Sequence, residues 1–105
     1  MLRIALPLLF FPMLALAAGD EVRLTLKDHR FEPATLKLPA GRKVKLIIEN
    51  HDATPEEFES HDLNREKVIA PGGSGMLFVG PLSRGTYTFF GEFNPKTAVG
   101  QIIVE

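Results

Sequence analysis

The sequence has no cysteine and no tryptophan, and only one tyrosine. Without cysteine there is no disulfide, no thiol nucleophile and no thiolate to hold a metal. Stability must come from a packed core alone. No run of lysine and arginine occurs, and the formal net charge is only −1 over 105 residues. That balance excludes a nucleic-acid binder held by phosphate contacts. Long helical periodicity, internal repeats, linkers and low-complexity segments are also missing. Gly72-Gly73-Ser74-Gly75 lacks the Lys-Ser/Thr pair that follows the glycine of a phosphate loop. Ser60, Ser74 and Ser83 have no histidine and aspartate placed to complete a triad. No hydrolase or transferase signature remains, and oxidation of a metal ion is the one reaction left open.

The N-terminus is different in character. Arg3 is followed by Ile4 to Leu16 without a charge, and Ala15-Leu16-Ala17 has the small-x-small spacing of a cleavage site. Residues 1–17 are expected to be a secretory signal peptide, cut near Ala17/Ala18. The apolar run is shorter than the roughly 20 residues a membrane-spanning helix needs. Pro7 and Pro12 interrupt it further. Residues 18–105 then form a single domain with no membrane span of its own, and a chain of this size buries one core.

From Glu21 onward the pattern is that of strands and turns. Val22, Leu24 and Leu26 alternate with Arg23, Thr25 and Lys27, the period of a half-buried strand. Phe31 to Leu38, Val44 to Asn50, Met76 to Val79, Thr86 to Phe90 and Gln101 to Glu105 read as further strands. Phe58 restarts a short element, and Val68-Ile69 leads into a turn. Pro39-Ala40-Gly41, Pro71-Gly72-Gly73 and Ser83-Arg84-Gly85 punctuate them. Residues 51–57 read as loop. Glu56, Glu57 and Glu59 also admit a short helix within 54–66. About seven to eight short strands at regular spacing predict an all-β fold, a Greek-key β-sandwich.

Acidic residues crowd one stretch: Glu49, Asp52, Glu56, Glu57, Glu59, Asp62 and Glu66, with His51 and His61 among them. Carboxylates and imidazoles together suit hard or borderline ions such as Fe(II), Mn(II) or Zn(II). Such a run is more commonly a solvated loop. A second polar segment, Gly91 to Gly100, contributes Glu92 and Asn94. His29 reads as a plain surface histidine in a turn, away from these loops.

Phe31-x-Pro33, Leu36-x-Leu38-x-x-Gly41 and Val44 to Asn50, then Pro71-Gly72 and Leu82-x-x-Gly85-x-Tyr87-x-Phe89, resemble the cupredoxins in order and spacing. The resemblance implies a cupredoxin-type sandwich. It also implies where copper ligands would stand. Glu56 or Glu57 occupies the place of the first histidine, Gly91 that of the cysteine, and Asn94 about that of the second histidine. No methionine follows in that loop. A site of two histidines and one cysteine, the blue-copper set, therefore has no ligands to form from.

Glu57-Phe58-Glu59, Ile69-Ala70-Pro71-Gly72 and Glu92-Phe93-Asn94-Pro95 are similar to the small periplasmic cupredoxin-like components of bacterial ferrous-iron uptake systems. That resemblance implies a periplasmic protein that handles iron or copper. It also implies work beside an iron permease or another uptake component. The candidate metal ligands are Glu57, Glu56 and Glu92, followed by Glu59, His61, Asp62 and Asn94. The competing reading is a metal-free sandwich whose acidic loop docks a basic partner.

Overall fold

A computed structural model describes residues 19–105; the expected signal peptide lies outside the described residues. Nine strands follow in chain order: β1 (Glu21–Lys27), β2 (Arg30–Glu32), β3 (Thr35–Leu38), β4 (Val44–Asn50), β5 (Glu56–Ser60), β6 (Arg65–Ile69), β7 (Ser74–Val79), β8 (Gly85–Gly91) and β9 (Val99–Val104). They form a four-stranded sheet, β2-β1-β4-β7, and a five-stranded sheet, β3-β9-β8-β5-β6. Two pairings are parallel, β1 with β4 and β3 with β9. The all-β sandwich is as the spacing of turns predicts. Among the described residues no helix is long and apolar enough to cross a membrane.

Alternation decides which side chains reach the core. In β4, Val44, Leu46, Ile48 and Asn50 are buried while the residues between them are half-exposed. The inner faces of the two sheets meet over Leu24, Leu26, Leu46, Ile48, Phe58, Ile69, Phe89 and Ile102. At one end three rings close together. Phe58 stacks on Phe89 at 5.1 Å, and Phe31 packs edge-on against both. Such aromatic pairs add about 0.5–1.5 kcal/mol each beyond area burial. Tyr87 donates its hydroxyl to the Ser83 carbonyl at 2.7 Å, tying the turn before β8 to that strand.

Three sequence expectations change. The stretch Phe31 to Leu38 is two strands, because the chain leaves one sheet at Pro33-Ala34 and joins the other. Residues 54–66 contain no helix. Glu56–Ser60 is a strand and pairs with β6 as a hairpin, so glutamate's helix preference yields to the burial of Glu56, Phe58 and Ser60. His29 does not lie away from the acidic loop. Because β1 runs parallel to β4, the ends of both strands reach the same end of the sandwich. There His29 and Asp28, both at positive φ, form the two-residue turn between β1 and β2. Asp52 accepts both of their backbone N–H groups, at 3.0 and 2.7 Å.

Candidate metal centre and the end of the sandwich

The loop after β4 is built on Asn50. Its amide is buried and donates to the carbonyls of Thr54 and Ile69, and its oxygen accepts from Asp52 N–H. These bonds deliver the chain into β5 with Glu56 facing inward. Burial works to raise the Asp52 pKa. The hydrogen bonds from His29 and Asp28 and the nearby charges of His29 and His51 outweigh it, so the carboxyl sits below the usual range.

Glu56 is 1 % exposed, deeper than any other charged residue in the described chain. One carboxylate oxygen accepts from Phe93 N–H at 2.7 Å and from Glu57 N–H at 2.9 Å. The other accepts from the Asn94 side-chain amide at 2.8 Å. Gly91 lies against this group. A Cβ added there would come within 2.6 Å of the Glu56 carboxylate and 2.8 Å of the Ala98 side chain. The loop after β8 is a closed turn in its own right. Gly91 N–H donates to Ala98 C=O, and Asn94 N–H to Gly91 C=O. Glu56, Gly91 and Asn94, separated by up to 38 positions in the chain, thus meet at one buried point.

The next residue faces the other way. Glu57, Glu59 and Glu66 point to the outer face of the five-stranded sheet, and each offers a carboxylate oxygen within 4.8 Å of the others. Register explains the convergence: Glu59 lies directly opposite Glu66 across the β5–β6 hairpin, and Glu57 is two residues away on the same face. The basic residues of β6 alternate to the opposite side. Arg65 donates to the Phe78 carbonyl, and the Lys67 stem lies against Gly75 of β7. The carboxylates are therefore left facing one another. Desolvation raises the Glu57 pKa, and a hydrogen bond with Glu66 and repulsion from Glu66, Glu59 and Glu92 raise it further. Glu92 joins this neighbourhood because its N–H donates to the Glu57 carbonyl at 2.8 Å.

The remaining candidates have other occupations. Asp62 accepts from both the N–H and the hydroxyl of Thr88, at 2.8 and 3.0 Å. These bonds lower its pKa against a smaller desolvation effect. Together with Ser60, whose hydroxyl donates to the Thr88 carbonyl, it ties the end of β5 to β8 beyond their two-residue ladder. His61 packs on the Phe90 ring and lies 3.9 Å from Glu59. The structure thus separates the sequence candidates into two sites: Glu56 with Asn94 inside, and Glu57 with Glu59 outside, His61 and Glu92 near the latter. Glu66 belongs to the outer site and was absent from the candidate ligands. The signal for it was available only once β5 and β6 were known to pair.

A family model described as a cupredoxin-like domain matches residues 1–104. An uncharacterized protein of Rickettsia prowazekii is 50 % identical over 84 residues, covering 80 % of this chain and 67 % of that one. Among solved structures, the metal-binding domain of the Streptococcus pneumoniae Cu(I)-exporting P-type ATPase CopA, determined with Cu(I), superposes with a TM-score of 0.72. It is 16 % identical, with 86 % of this chain and 90 % of that one covered. Auracyanin A, a "blue" copper protein of Chloroflexus aurantiacus, superposes with a TM-score of 0.70. It is 12 % identical, with 81 % and 98 % covered. A chain from a heme-copper terminal oxidase dimer also superposes, with a TM-score of 0.67 and 19 % identity over 84 % of this chain, which spans 66 % of that one. At such identities these structures share the fold.

Copper does not fit the interior position. The residues that meet there supply no sulfur and no imidazole. The carboxylate lone pairs already accept three N–H groups.

Proposed function

Because the chain belongs to the family of cupredoxin-like domains, we propose that it handles a metal cation on the outer carboxylate face of the β5–β6 hairpin, not at an interior copper centre. The observation that carries this reading is the convergence of Glu57, Glu59 and Glu66 within 4.8 Å on one face, with the hairpin's basic residues turned toward β7. Like charges directly opposite on a sheet cost stability. A cation or a shared proton relieves that cost. All-oxygen, anionic donors select hard ions, with iron, manganese and calcium ahead of Cu(I). Iron is the cargo we assign. Anionic oxygen stabilises Fe(III) over Fe(II), which lowers the potential of the bound ion. We place the protein outside the cytoplasmic membrane, exported by residues 1–17, where it passes iron to an uptake permease. That placement rests on the N-terminal charge pattern and the resemblance to iron-uptake components.

Calorimetric titration with Mn(II), which stays divalent in air, and with Fe(II) under anaerobic conditions tests the site. Glu57→Gln with Glu66→Gln should lower affinity at least about tenfold, equivalent to about 1.4 kcal/mol. Unchanged affinity in the double variant would remove these carboxylates as ligands. A second reading has its own observation. Val68, on the same face and opposite Glu57, is 56 % exposed, and Phe93 is 50 % exposed. Apolar groups rimmed by acids suit a basic protein partner. If the wild-type protein binds neither ion at micromolar concentration, this docking surface becomes the better reading.

A further inference from the structure

The residue that disqualifies the interior as a copper centre has a function of its own. We infer that Glu56 is an internal lock, a side chain that does the mechanical work of a bound ion by joining β5 to the loop after β8 from inside the sandwich. A metal in such a place would tie separate segments together through several donors. Here the polarity is reversed: one buried anion gathers N–H donors from Glu57, Phe93 and Asn94. Every partner is a donor, so the arrangement matches an acceptor-only carboxylate and complements it on both oxygens.

The surrounding residues are cut to this group. Gly91 leaves the space the carboxylate fills, and the Ala98 side chain borders the place a Gly91 Cβ would take. Asn94 is held by its own backbone, which donates to Gly91 C=O and accepts from Ala98 N–H. Its amide is thereby aimed at Glu56. The ladder between β5 and β8 is only two residues long, Phe58 with Gly91 and Glu59 with Phe90. Without the carboxylate, the loop 92–97 would be joined to β5 on this side chiefly by the Glu92 N–H bond to Glu57 C=O. For an ion to enter, the carboxylate would have to release three part-buried donors. Orphaned donors of that kind are costly. The lock therefore holds the loop in the metal-free protein and excludes metal from the interior.

Hydrogen exchange read by NMR tests this directly. In the metal-free protein the Phe93 amide should be protected. Addition or chelation of Zn(II) should leave that protection unchanged. Glu56→Leu keeps the bulk and removes both acceptors. Phe93 exchange should accelerate by about tenfold or more, while amides of the β8–β9 ladder keep their protection. Asn94→Ala removes one donor of three and serves if Glu56→Leu does not fold. It should speed Phe93 exchange by a smaller factor. Phe93 exchange equal to wild type in both variants would overturn the lock, as would a loss of Phe93 protection when EDTA is added to the wild type. None of these outcomes depends on whether the outer carboxylates bind iron.

Discussion

Glu56 and Glu57 are consecutive residues of β5, and the pleat sends one carboxylate into the core and the other to the outer face. The inner one is dry and answered by three N–H donors. The outer one is wetter and faces other carboxylates. Burial of charge is usually the expensive condition, yet here the buried acid is the stabilising one. Partners outweigh depth: a carboxylate with complementary donors is held, and a shallower one among like charges is strained. The inner acid builds the fold. The outer acids carry an unsatisfied charge that an ion or partner can use.

The comparison is broken most severely from the inside. Glu56→Leu leaves three part-buried donors without their acceptor, at up to about 1–3 kcal/mol each, partly relieved by water and loop relaxation. Chemical denaturation should show a loss of about 3 kcal/mol or more. That is a large share of the roughly 5–15 kcal/mol a domain has in total. Next comes Gly91→Ala, whose methyl would enter the space of the Glu56 carboxylate and Ala98. Overpacking of this kind costs about 1–3 kcal/mol. The cost should shrink when Glu56 is truncated to alanine as well. A double-mutant cycle that shows strict additivity would mean the two residues do not share that space.

Asp62→Ala removes the acceptor for Thr88 N–H and hydroxyl and should lower the melting temperature modestly at neutral pH. Because the folded state depresses this carboxyl's pKa, its contribution is complete above the ordinary aspartate range. It is lost as pH falls through the depressed folded value. The gap between Asp62→Ala and wild type should therefore close in acid. The smallest effect has the opposite sign. Folding raises the Glu57 pKa, so the folded state holds its proton more tightly and stability from this group falls as pH rises through the window above the ordinary glutamate range. Glu57→Gln should raise the melting temperature slightly at pH 7 and have no effect well below that window. A Glu57→Gln protein less stable than wild type at pH 7 would show that the outer carboxylates are not repelling one another.

Much of the architecture was legible because alternation of apolar residues in β1 and β4, and the turn-forming Pro-Gly and Ser-Arg-Gly segments, act locally. The β5–β6 hairpin was harder to read. Its strand begins with two glutamates, residues of good helix propensity, and only Phe58 marks it as apolar. The break of Phe31 to Leu38 into two strands was hidden as well, since one apolar pattern serves both sheets. At the site, Glu56, Glu57, Glu59 and Asn94 were visible as polar residues in otherwise cupredoxin-like positions, whereas Glu66 was not singled out.

Composition was enough to exclude thiolate copper and disulfides, because those need sulfur atoms the chain does not have. The order of residues was enough, too, to specify a sandwich, because a period of two with frequent turns has few other ways to bury its apolar face. What each acid does was decided only by tertiary structure. Strand parity set Glu56 and Glu57 on opposite faces, and hairpin register brought Glu66 to Glu59. The meeting of β5 with a loop up to 38 positions away gave Glu56 two of its three donors. A carboxylate's role depends on what stands within 3 Å of it, and those neighbours come from distant parts of the chain.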